Sequence, residues 1–457
     1  MGEGIVGQEG RITEDLTVEQ GTFFPVSTEA HQQASGSVSG VARIQRPDRE
    51  QMQMRMVDLD GLIPADHSAR GIWEYVDRLP LTEVYAKILA VEGHAGRTPV
   101  DPKIHLALWL YATVEGVGSA RALAELCEAH QAYQWICGGV KVNYHGLADF
   151  RTAHVELLDR LLTESVATLT SSGLVELKRV AQDGMRVRAS AGAASFRRER
   201  TLKECLAEAE EQVQRLREEL EEDPGASRRR AEAARERAAA ERKARVEEAL
   251  RQLPEVRAKK KPKEKGEARV STTDPDARVM KMGDGGFRPA YNVEFATDTQ
   301  TQVIVGVGVT NRGSDQGQMA PMVEQIEERH GRVPGEILVD GGFAKKEDIE
   351  VVTGKGCTVY APVQQPKEKD RDPHVPLPED SEAVAAWRIR MGTAEAKEIY
   401  KGRAATAECV NAIARNRGLR QFLVRGLRKV QAVALWYALA HNVMRMVALH
   451  GASTLAT

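Results

Sequence analysis

The sequence has few cysteines and no long apolar segment. Its 457 residues include only five cysteines, which are odd in number, widely scattered and without any Cys-x-x-Cys spacing. This pattern excludes a disulfide framework and a cysteine-based zinc site, and it fits a reducing cytosol. No run of eighteen apolar residues and no charged-then-apolar leader is present. We therefore predict a cytoplasmic protein that does not span a membrane.

Charge is unevenly distributed along the chain, although the net charge is only -2. From Lys401 to the C-terminus there are nine Lys or Arg residues and a single acidic residue, Glu408. A net charge near zero does not indicate a nucleic-acid-binding protein, but a basic C-terminal region favours a polyanionic partner. A helix that only packs against its neighbours does not need an isolated carboxylate in such a region.

The segment from Glu398 to Gly426 contains that carboxylate and is predicted to be mostly helical, because it is rich in alanine and lacks proline. On a helix, five of its polar side chains share one broad stripe: Tyr400, Arg403, Glu408, Asn411 and Arg415. A lone Glu among cationic and polar groups is typical of a helix that faces a polyanion and a metal ion.

The first 175 residues are predicted to contain an arm and a helical domain. Residues 1–50 are polar and rich in Gly, Ser and Gln, which predicts a flexible arm. Residues 51–175 contain short helices joined by glycine turns, and one long helix is predicted from about Asn143 to Ser171. The pattern is compatible with a helix-turn-helix unit in which Arg151 and His145 reach DNA. An all-helical packing domain without a ligand fits it equally well.

Residues 176–457 are predicted to form an α/β domain with a helical insertion. A charged stretch, 196–265, has a three-four apolar spacing from Leu202 to Leu220 and, after a break at Asp223-Pro224-Gly225, an alanine- and arginine-rich helix from about Ser227 to Leu253. We therefore predict an antiparallel coiled-coil hairpin. Around this insertion the predicted order is strand, β-hairpin, helix, strand, helix, strand and helices.

Aspartates follow two of the predicted strands. Asp183 is placed at the end of the first strand and Asp340 at the end of the fourth. The glycines that follow them, Gly184 and Gly341-Gly342, leave room for a phosphodiester to approach. Carboxylates at strand ends point into the crevice where α/β sheets bind ligands. Together with Glu408 they form an oxygen-ligand set that suits Mg²⁺. Two such ions, roughly 3.5–4 Å apart, support in-line phosphoryl displacement.

Each of these acids also has a simpler interpretation. Asp183 and Asp340 could be ordinary turn residues, because Asp before Gly is common in turns. Glu408 could be a solvated helix residue, with Glu395 or Glu398 as the third acid instead. We favour Glu408 because it alone lies within the polar stripe. Other aspartates of this half are interpreted as turn and cap residues: Asp274, Asp276, Asp298 and Asp315.

Taken together, these segments resemble a bacterial insertion-sequence transposase of the DDE type over roughly residues 51–450. In the N-terminal part the resemblance is carried by GRTPVDPKIHLALWLYATVEGVGSARALAELC and YHGLADFR. In the C-terminal part it is carried by QDGMRVRA, STTDPDARVMK, GGFRPAYNVEFATD, LVDGGF and YKGRAATAECVNAIARNRGLRQFLVRG. The last segment is similar to the family's Tyr-x2-Arg…Glu-x6-Lys signature, with Arg415 where the family usually has Lys. Glu294 stands where relatives often carry Gln.

The resemblance implies a ribonuclease H-like α/β catalytic core and an all-α N-terminal DNA-binding domain. It also implies metal-dependent cleavage of DNA at terminal inverted repeats, followed by strand transfer into target DNA. Asp183, Asp340 and Glu408 would hold Mg²⁺ or Mn²⁺, with two ions expected, and Tyr400, Arg403 and Arg415 would position phosphates. Recognition of the DNA ends by the N-terminal helices, pairing of the ends in a homodimer and association with the nucleoid are expected by analogy.

Two further functions share these features. One is a transposase-derived DNA-binding protein or repressor that no longer cuts DNA. The other is a site-specific nuclease without strand transfer, which would use the same metal site. The intact set of acids favours the active enzyme over the silent protein.

Overall fold

The computed structural model describes residues 50, 52, 56, 58–90, 98–222, 229–365 and 371–455. Residues 57–457 form one compact unit. The predicted flexible arm, apart from its last residue, and the predicted helix break at Pro224 both lie outside the described residues. The division at residue 175 into a DNA-binding and a catalytic domain stays a prediction.

Helices dominate the N-terminal third and the C-terminal end, and a sheet lies between them. The helices are α1 (Ser68–Asp77), α2 (Thr82–Tyr85), α3 (Pro102–Val114), α4 (Ala120–Ala129), α5 (Gln131–Cys137), α6 (Tyr144–Ala153), α7 (Val155–Ser171), α8 (Glu199–Glu222), α9 (Arg229–Ala258), α10 (Met319–His330), α11 (Lys346–Gly354), α12 (Glu382–Gly392), α13 (Ala394–Arg403), α14 (Cys409–Asn416) and α15 (Leu427–Leu455). The strands are β1 (Arg179–Arg188), β2 (Phe196–Arg197), β3 (Val270–Ser271), β4 (Arg278–Lys281), β5 (Phe287–Asp298), β6 (Ile304–Thr310), β7 (Glu336–Leu338) and β8 (Thr358–Tyr360).

Helices α3 and α4 begin after the capping residues Asp101 and Ser119. Asp101 accepts a hydrogen bond from the Lys103 amide at the start of α3, and Pro102 is the first helical residue. The predicted long helix from Asn143 to Ser171 is wrong in one respect, because it breaks at His154 into α6 and α7. The break lets both helices pack against α15 at different points of its length.

The C-terminal helix α15 joins the N-terminal helices to the sheet. It packs against α3, α7 and β6. Asn442 bonds both the amide and the carbonyl of Ile304 at 2.8 Å, and the Trp436 indole donates to the Arg151 carbonyl. Residues 427–449 are long and apolar enough to cross a membrane by length and composition, yet 67% of their most apolar stretch is buried within the protein. This burial is typical of a core helix, as its apolar sequence predicts.

A mixed sheet forms the centre of the second half. Its strand order is β4-β5-β1-β7-β8. Strand β6 also pairs with β5, along a part of β5 that follows the part paired with β4. The pairs among β1, β4, β5 and β6 are antiparallel, and β7 pairs in parallel with β1 and with β8. The predicted hairpin is present as β5 and β6, although residues 299–303 separate the strands where about two were expected. Helices cover this sheet, so the predicted α/β class is confirmed for this half.

The insertion predicted at 196–265 is a helical hairpin. Helices α8 and α9 pack along each other and are joined by ion pairs such as Arg217–Glu236 and Lys243–Glu210, whose order shows that the helices are antiparallel. The two short strands β2 and β3 pair at its base. The hairpin therefore leaves the sheet after β1 and returns before β4.

Candidate active site

Asp183 lies in the middle of a strand. The antiparallel ladder with β5 runs through Arg188, and Asp183 pairs with Phe295 in it. The predicted position at a strand end is therefore wrong, and so is the interpretation of Asp183 as a turn residue. Its side chain is 18% exposed. Strand β1 continues past the point where its parallel neighbour β7 ends. The Asp183 carboxylate therefore lies where the β7 side of β1 is unpaired.

Asp340 follows the neighbouring strand β7 and lies at the same level as Asp183. Strands β1 and β7 pair in parallel, with Ala181 beside Leu338. If this register is extended by two residues on each chain segment, Asp183 lies beside Asp340. Strand β7 has already ended there, and Oδ1 of Asp340 accepts a 2.7 Å hydrogen bond from the Gly342 amide. Asp340 is thus a turn residue that also lies next to a second carboxylate.

The segment that carries Glu408 is helical through Asn416 and contains a π turn. Helix α13 ends at Arg403, residues Ala404–Glu408 form the π turn, and α14 follows. On an unbroken α-helix the five polar side chains of the predicted stripe would spread over about 140°, and one extra residue narrows this to about 80°. The π turn therefore concentrates the stripe on one face, in keeping with the frequent use of such turns at functional sites.

Two residues of this stripe contact Asp183. A guanidinium nitrogen of Arg403 lies 3.6 Å from Oδ1 of Asp183, and another donates to Oε1 of Glu408 at 2.8 Å. Nδ2 of Asn411 donates to Oδ2 of Asp183 at 3.0 Å. The Tyr400 ring centroid is 6.0 Å from the Arg403 guanidinium carbon. Asn411, Tyr400, Arg403 and Glu408 are therefore arranged around Asp183 as one group.

The alternative third acids lie elsewhere. Glu398 is exposed and paired with Lys401 at 2.5 Å, and Glu395 is also exposed. Only Glu408 shares a cation with Asp183. Its own side chain is 55% exposed, so it is open to solvent on the side away from Arg403.

The electrostatics at Asp183 favour a bound cation. Burial raises the pKa of Asp183 above its usual value, and the nearby Asp340 charge raises it further, while Arg403 and the Asn411 hydrogen bond oppose the shift. Burial likewise raises the pKa of the Tyr400 hydroxyl. Two neighbouring carboxylates in a partly buried site repel each other, and a divalent cation relieves this repulsion.

The donor atoms fit a hard divalent metal ion, although the metal site is not fully assembled. Asp183 and Asp340 supply carboxylate oxygens, and Oδ1 of Asn411 is buried without a hydrogen-bond partner. Oxygen donors of this kind suit Mg²⁺ and Mn²⁺. Within the described ranges, no three His, Cys, Asp or Glu side chains lie close enough to hold a metal as they stand. The structure thus brings two of the predicted acids together and links Glu408 to them through Arg403.

The three other predicted DNA contacts lie in different environments. Arg415 is exposed at the end of α14, and His145 is exposed with its ring 4.0 Å from that of Tyr144. Arg151 is only 8% exposed, lies 4.6 Å from the Trp109 ring and donates to the Gly118 carbonyl, and burial lowers its pKa to about 10. A DNA contact at Arg151 does not fit this position, because its guanidinium is used inside the helical domain.

A polar cluster on the opposite face of β1 was missed by the sequence reasoning. Gln182 donates to Glu294 at 2.7 Å, and Asn292 donates to both Glu294 and Asp315 at 2.8 Å. Arg186 forms an ion pair with Asp315 at 3.0 Å, and the Asp315 carbonyl accepts from the Gln318 amide at 3.2 Å, so Asp315 opens a turn, as predicted, while its side chain joins the cluster. The alternation of Asn292 and Glu294 within an otherwise apolar strand was the available signal, because alternate residues share one face of a sheet.

Glu294 is held as a neutral acid at pH 7. It is almost fully buried, and burial raises its pKa to about 8 against the opposing hydrogen bond from Gln182. The amide oxygens of Gln182 and Asn292 are buried in the same cluster without partners, so a proton on Glu294 provides a donor that the cluster lacks. A protonated Glu has the shape and hydrogen-bonding groups of Gln.

Two of the glycines that follow the aspartates lie against carboxylates. A Cβ on Gly184 would lie 2.8 Å from Oδ1 of Asp315, and a Cβ on Gly342 would lie 2.9 Å from Oδ1 of Asp340. A Cβ on Gly341 would meet only Pro362, at 3.8 Å, so room for a phosphodiester stays a prediction there. The cluster behind β1 approaches the site through Asp315 and Gly184.

Comparisons with known proteins give two matches along the chain. A family model described as Transposase domain (DUF772) matches residues 57–153, and one described as Transposase DDE domain matches residues 255–443. Together they span more than half of the chain. The second match includes Asp340 and Glu408, whereas Asp183 precedes it on the other side of the helical hairpin. Neither the comparison with curated proteins nor that with solved structures gave a match.

Fold, site and matches define a transposase with a DDE catalytic domain. The chain belongs to the insertion-sequence DDE transposases. A DDE domain implies a metal-dependent enzyme that acts on DNA, and the mixed sheet is compatible with the ribonuclease H-like core that this domain suggests. Members of the family are typically soluble and cytoplasmic.

Proposed function

We propose that the protein binds the terminal inverted repeats of its insertion sequence and catalyses Mg²⁺-dependent cleavage and transfer of DNA strands. The observation that carries this proposal is that Asp183 lies beside Asp340, which follows the adjacent parallel strand, opposite a helix whose Arg403 contacts both Asp183 and Glu408. A purely structural sheet does not require two carboxylates side by side with a third acid linked to them through one arginine.

Each residue of the group has a separate role in this proposal. Asp183, Asp340 and Glu408 would hold the metal. Two ions are expected, and Mg²⁺ or Mn²⁺ is the metal to use in experiments. When bound, the metal supplies a Lewis acid and an activated water or 3′-hydroxyl for in-line attack on a phosphodiester. Asn411 fixes the orientation of the Asp183 carboxylate through its 3.0 Å hydrogen bond.

Arg403 serves first as the counter-ion of the acids and then as a phosphate ligand. Without metal it neutralises Asp183 and Glu408. Once those acids are occupied, its planar guanidinium is free to pair with a phosphate, a geometry that suits arginine. Tyr400 and the exposed Arg415 extend the same face of the helix towards the DNA.

Recognition of the DNA ends is assigned to the N-terminal helices. His145 is exposed on α6 and is available to a duplex. Because two ends must be brought together before strand transfer, the active complex is proposed to be a homodimer, with target DNA as its second substrate.

The test is a cleavage assay on labelled duplexes that carry the terminal sequence taken from the DNA flanking the gene. Asp183→Asn, Asp340→Asn and Glu408→Gln are each expected to abolish Mg²⁺-dependent cleavage while leaving binding of the duplex nearly intact. Glu398→Gln, on the same helical segment but paired only with Lys401, is the matched control and should cut normally. Full cleavage by any of the three acid variants would remove that acid from the proposed site.

A second candidate is a catalytically silent DNA-binding protein or repressor. It is favoured by one observation, the Arg403 side chain lying between Asp183 and Glu408 where a metal would have to bind. Specific binding of the ends by the wild-type protein without any cleavage in Mg²⁺ or Mn²⁺ would support it. Cleavage without joined products would instead indicate a nuclease that does not transfer strands.

A further inference from the structure

A groove lies where the helical hairpin meets the N-terminal helices. It has a volume of about 750 Å³ and is lined by residues of α6, of α9 and of the segment 423–429 at the start of α15. A second groove of about 310 Å³ shares Ala148, Leu423 and Val424 with it and extends to the start of α4. We call the two together the hairpin groove. Three segments far apart in the sequence contribute to it.

The hairpin groove contains more positive than negative charge. The cations that line the larger groove are Arg245 from α9 and Arg425 and Lys429 from the segment before and within α15, and its acids are Asp149 and Glu241; the smaller groove adds Arg121 and Arg151. Within the described part of the chain, Arg425 and Lys429 are exposed and have no acidic partner. Arg245 has one ion pair, with Glu241 at 3.7 Å, and its Nε is buried without a hydrogen-bond partner.

The cations of the groove are close enough to repel one another. Burial lowers the pKa of the Arg245 guanidinium, and the nearby charges of Arg425 and Arg242 lower it further, while Glu241 opposes the effect. Arginine nonetheless stays charged at neutral pH. The folded protein therefore holds an uncompensated positive charge here, which a bound anion would stabilise.

The groove is connected to the candidate active site by β1. Nε of Arg425 donates to the Ser190 carbonyl, just beyond the end of β1, at 3.2 Å. The five residue-to-residue steps from Asp183 to Arg188 span about 17 Å of extended strand. Since a DNA duplex rises about 3.4 Å per base pair, that distance corresponds to about five base pairs or more. A duplex cut at Asp183 can thus present its backbone to the groove.

We propose that the hairpin groove binds the sugar–phosphate backbone of double-stranded DNA at least about five base pairs from the cleaved bond. The inserted helical hairpin is then a DNA-binding element, acting through Arg245. This inference rests on the proposed function only in taking the same duplex as substrate. Its main alternative, an acidic protein partner in the same groove, predicts no change in DNA binding when the cations are removed.

The test measures the salt dependence of binding to a fluorescein-labelled duplex several helical turns long. Arg245→Gln, Arg425→Gln and Lys429→Gln are each expected to make the slope of log K against log [NaCl] shallower by about 0.9, and the triple variant by about three times that amount. Arg215→Gln is the matched control, because Arg215 lies on the other helix of the hairpin and pairs with Glu211. Its slope should equal that of the wild type.

The outcomes separate this inference from the proposed function. If the triple variant keeps the wild-type slope, the hairpin groove does not bind DNA, even if the wild-type protein cleaves DNA. If the slopes become shallower, DNA binding by the groove is supported, even if the wild-type protein shows no Mg²⁺-dependent cleavage. Thermal unfolding guards against a folding defect: Arg245→Gln should be as stable as the wild type or more so, because it removes a repelled charge, and Arg425→Gln and Lys429→Gln alter only exposed side chains.

Discussion

Arg403 places one guanidinium nitrogen 3.6 Å from Asp183 and another 2.8 Å from Glu408. One cation thus links an acid in the middle of β1 with an acid in the π turn before α14. A divalent metal would suit the same two carboxylates if the Arg403 side chain moved out from between them. The positions of these three residues support both the proposed metal site and the proposed phosphate contact.

Removing the guanidinium should impair catalysis strongly. We predict that Arg403→Ala lowers the rate of cleavage at saturating Mg²⁺ by roughly 10²–10³-fold, the usual loss when one preorganised donor to a reacting oxyanion is removed. Arg403→Lys should recover part of the rate, because a lysine keeps the charge but loses the planar fork. Single-turnover cleavage of a labelled duplex measures this, and a wild-type rate in Arg403→Ala would exclude the phosphate contact.

Asn411 is predicted to support metal affinity without taking part in the chemistry. Because Asn411→Ala removes the hydrogen bond to Asp183, it should raise the Mg²⁺ concentration needed for half-maximal cleavage by roughly 10–100-fold. The maximal rate should largely return at saturating Mg²⁺. Asn416→Ala, at the exposed end of the same helix, is the control and should leave the titration unchanged. A lower maximal rate with an unchanged midpoint would contradict this role.

The ionised Asp183 side chain is predicted to lower the free energy of unfolding when no metal is bound. Its folded-state pKa lies above the unfolded value, so the folded state binds the proton more tightly, and stability falls as pH rises through this range. Asp183→Asn should therefore increase the free energy of unfolding at pH 7 in EDTA, measured by urea denaturation. Added Mg²⁺ should stabilise the wild type and not the variant. A less stable variant in EDTA would contradict the stated electrostatics.

Glu294 is predicted to make the free energy of unfolding depend on pH over a wider pH range than Asp183 does. With an unfolded value near 4.5 and a folded pKa of about 8, the folded state holds an extra proton between these pH values. Stability should fall as pH rises from about 4.5 to about 8, by at most about 1.4 kcal/mol per pH unit, and remain reduced above it. Glu294→Gln should remove this component, whereas Glu324→Gln, an exposed change on α10, should not. An unaltered pH profile in Glu294→Gln would show that Glu294 ionises normally.

Local patterns in the sequence predict much of this fold. The caps at Asp101 and Ser119, the alternation in β5 and β6 and the apolar length of α15 each mark an element that the structure contains. The Asp340 position follows from the same reasoning, because a short buried strand ending before Asp-Gly-Gly leaves few alternatives.

Features set by tertiary contacts could not be predicted in this way. The extension of β1 beyond Asp183 depends on its pairing with β5, which lies on the other side of the helical hairpin. The break at His154 and the burial of Arg151 depend on packing against α15. The π turn before α14 has no distinct periodicity, since one additional residue in a helix leaves the sequence pattern almost unchanged.

The most direct test of the central claim is a crystal structure of the protein with Mn²⁺, using the anomalous signal of the metal to locate it. The account predicts Mn²⁺ bound to the carboxylates of Asp183 and Asp340, with Glu408 released from Arg403 to complete the oxygen ligands. Metal bound elsewhere, or an Arg403 side chain that stays between Asp183 and Glu408 at saturating Mn²⁺, would contradict it.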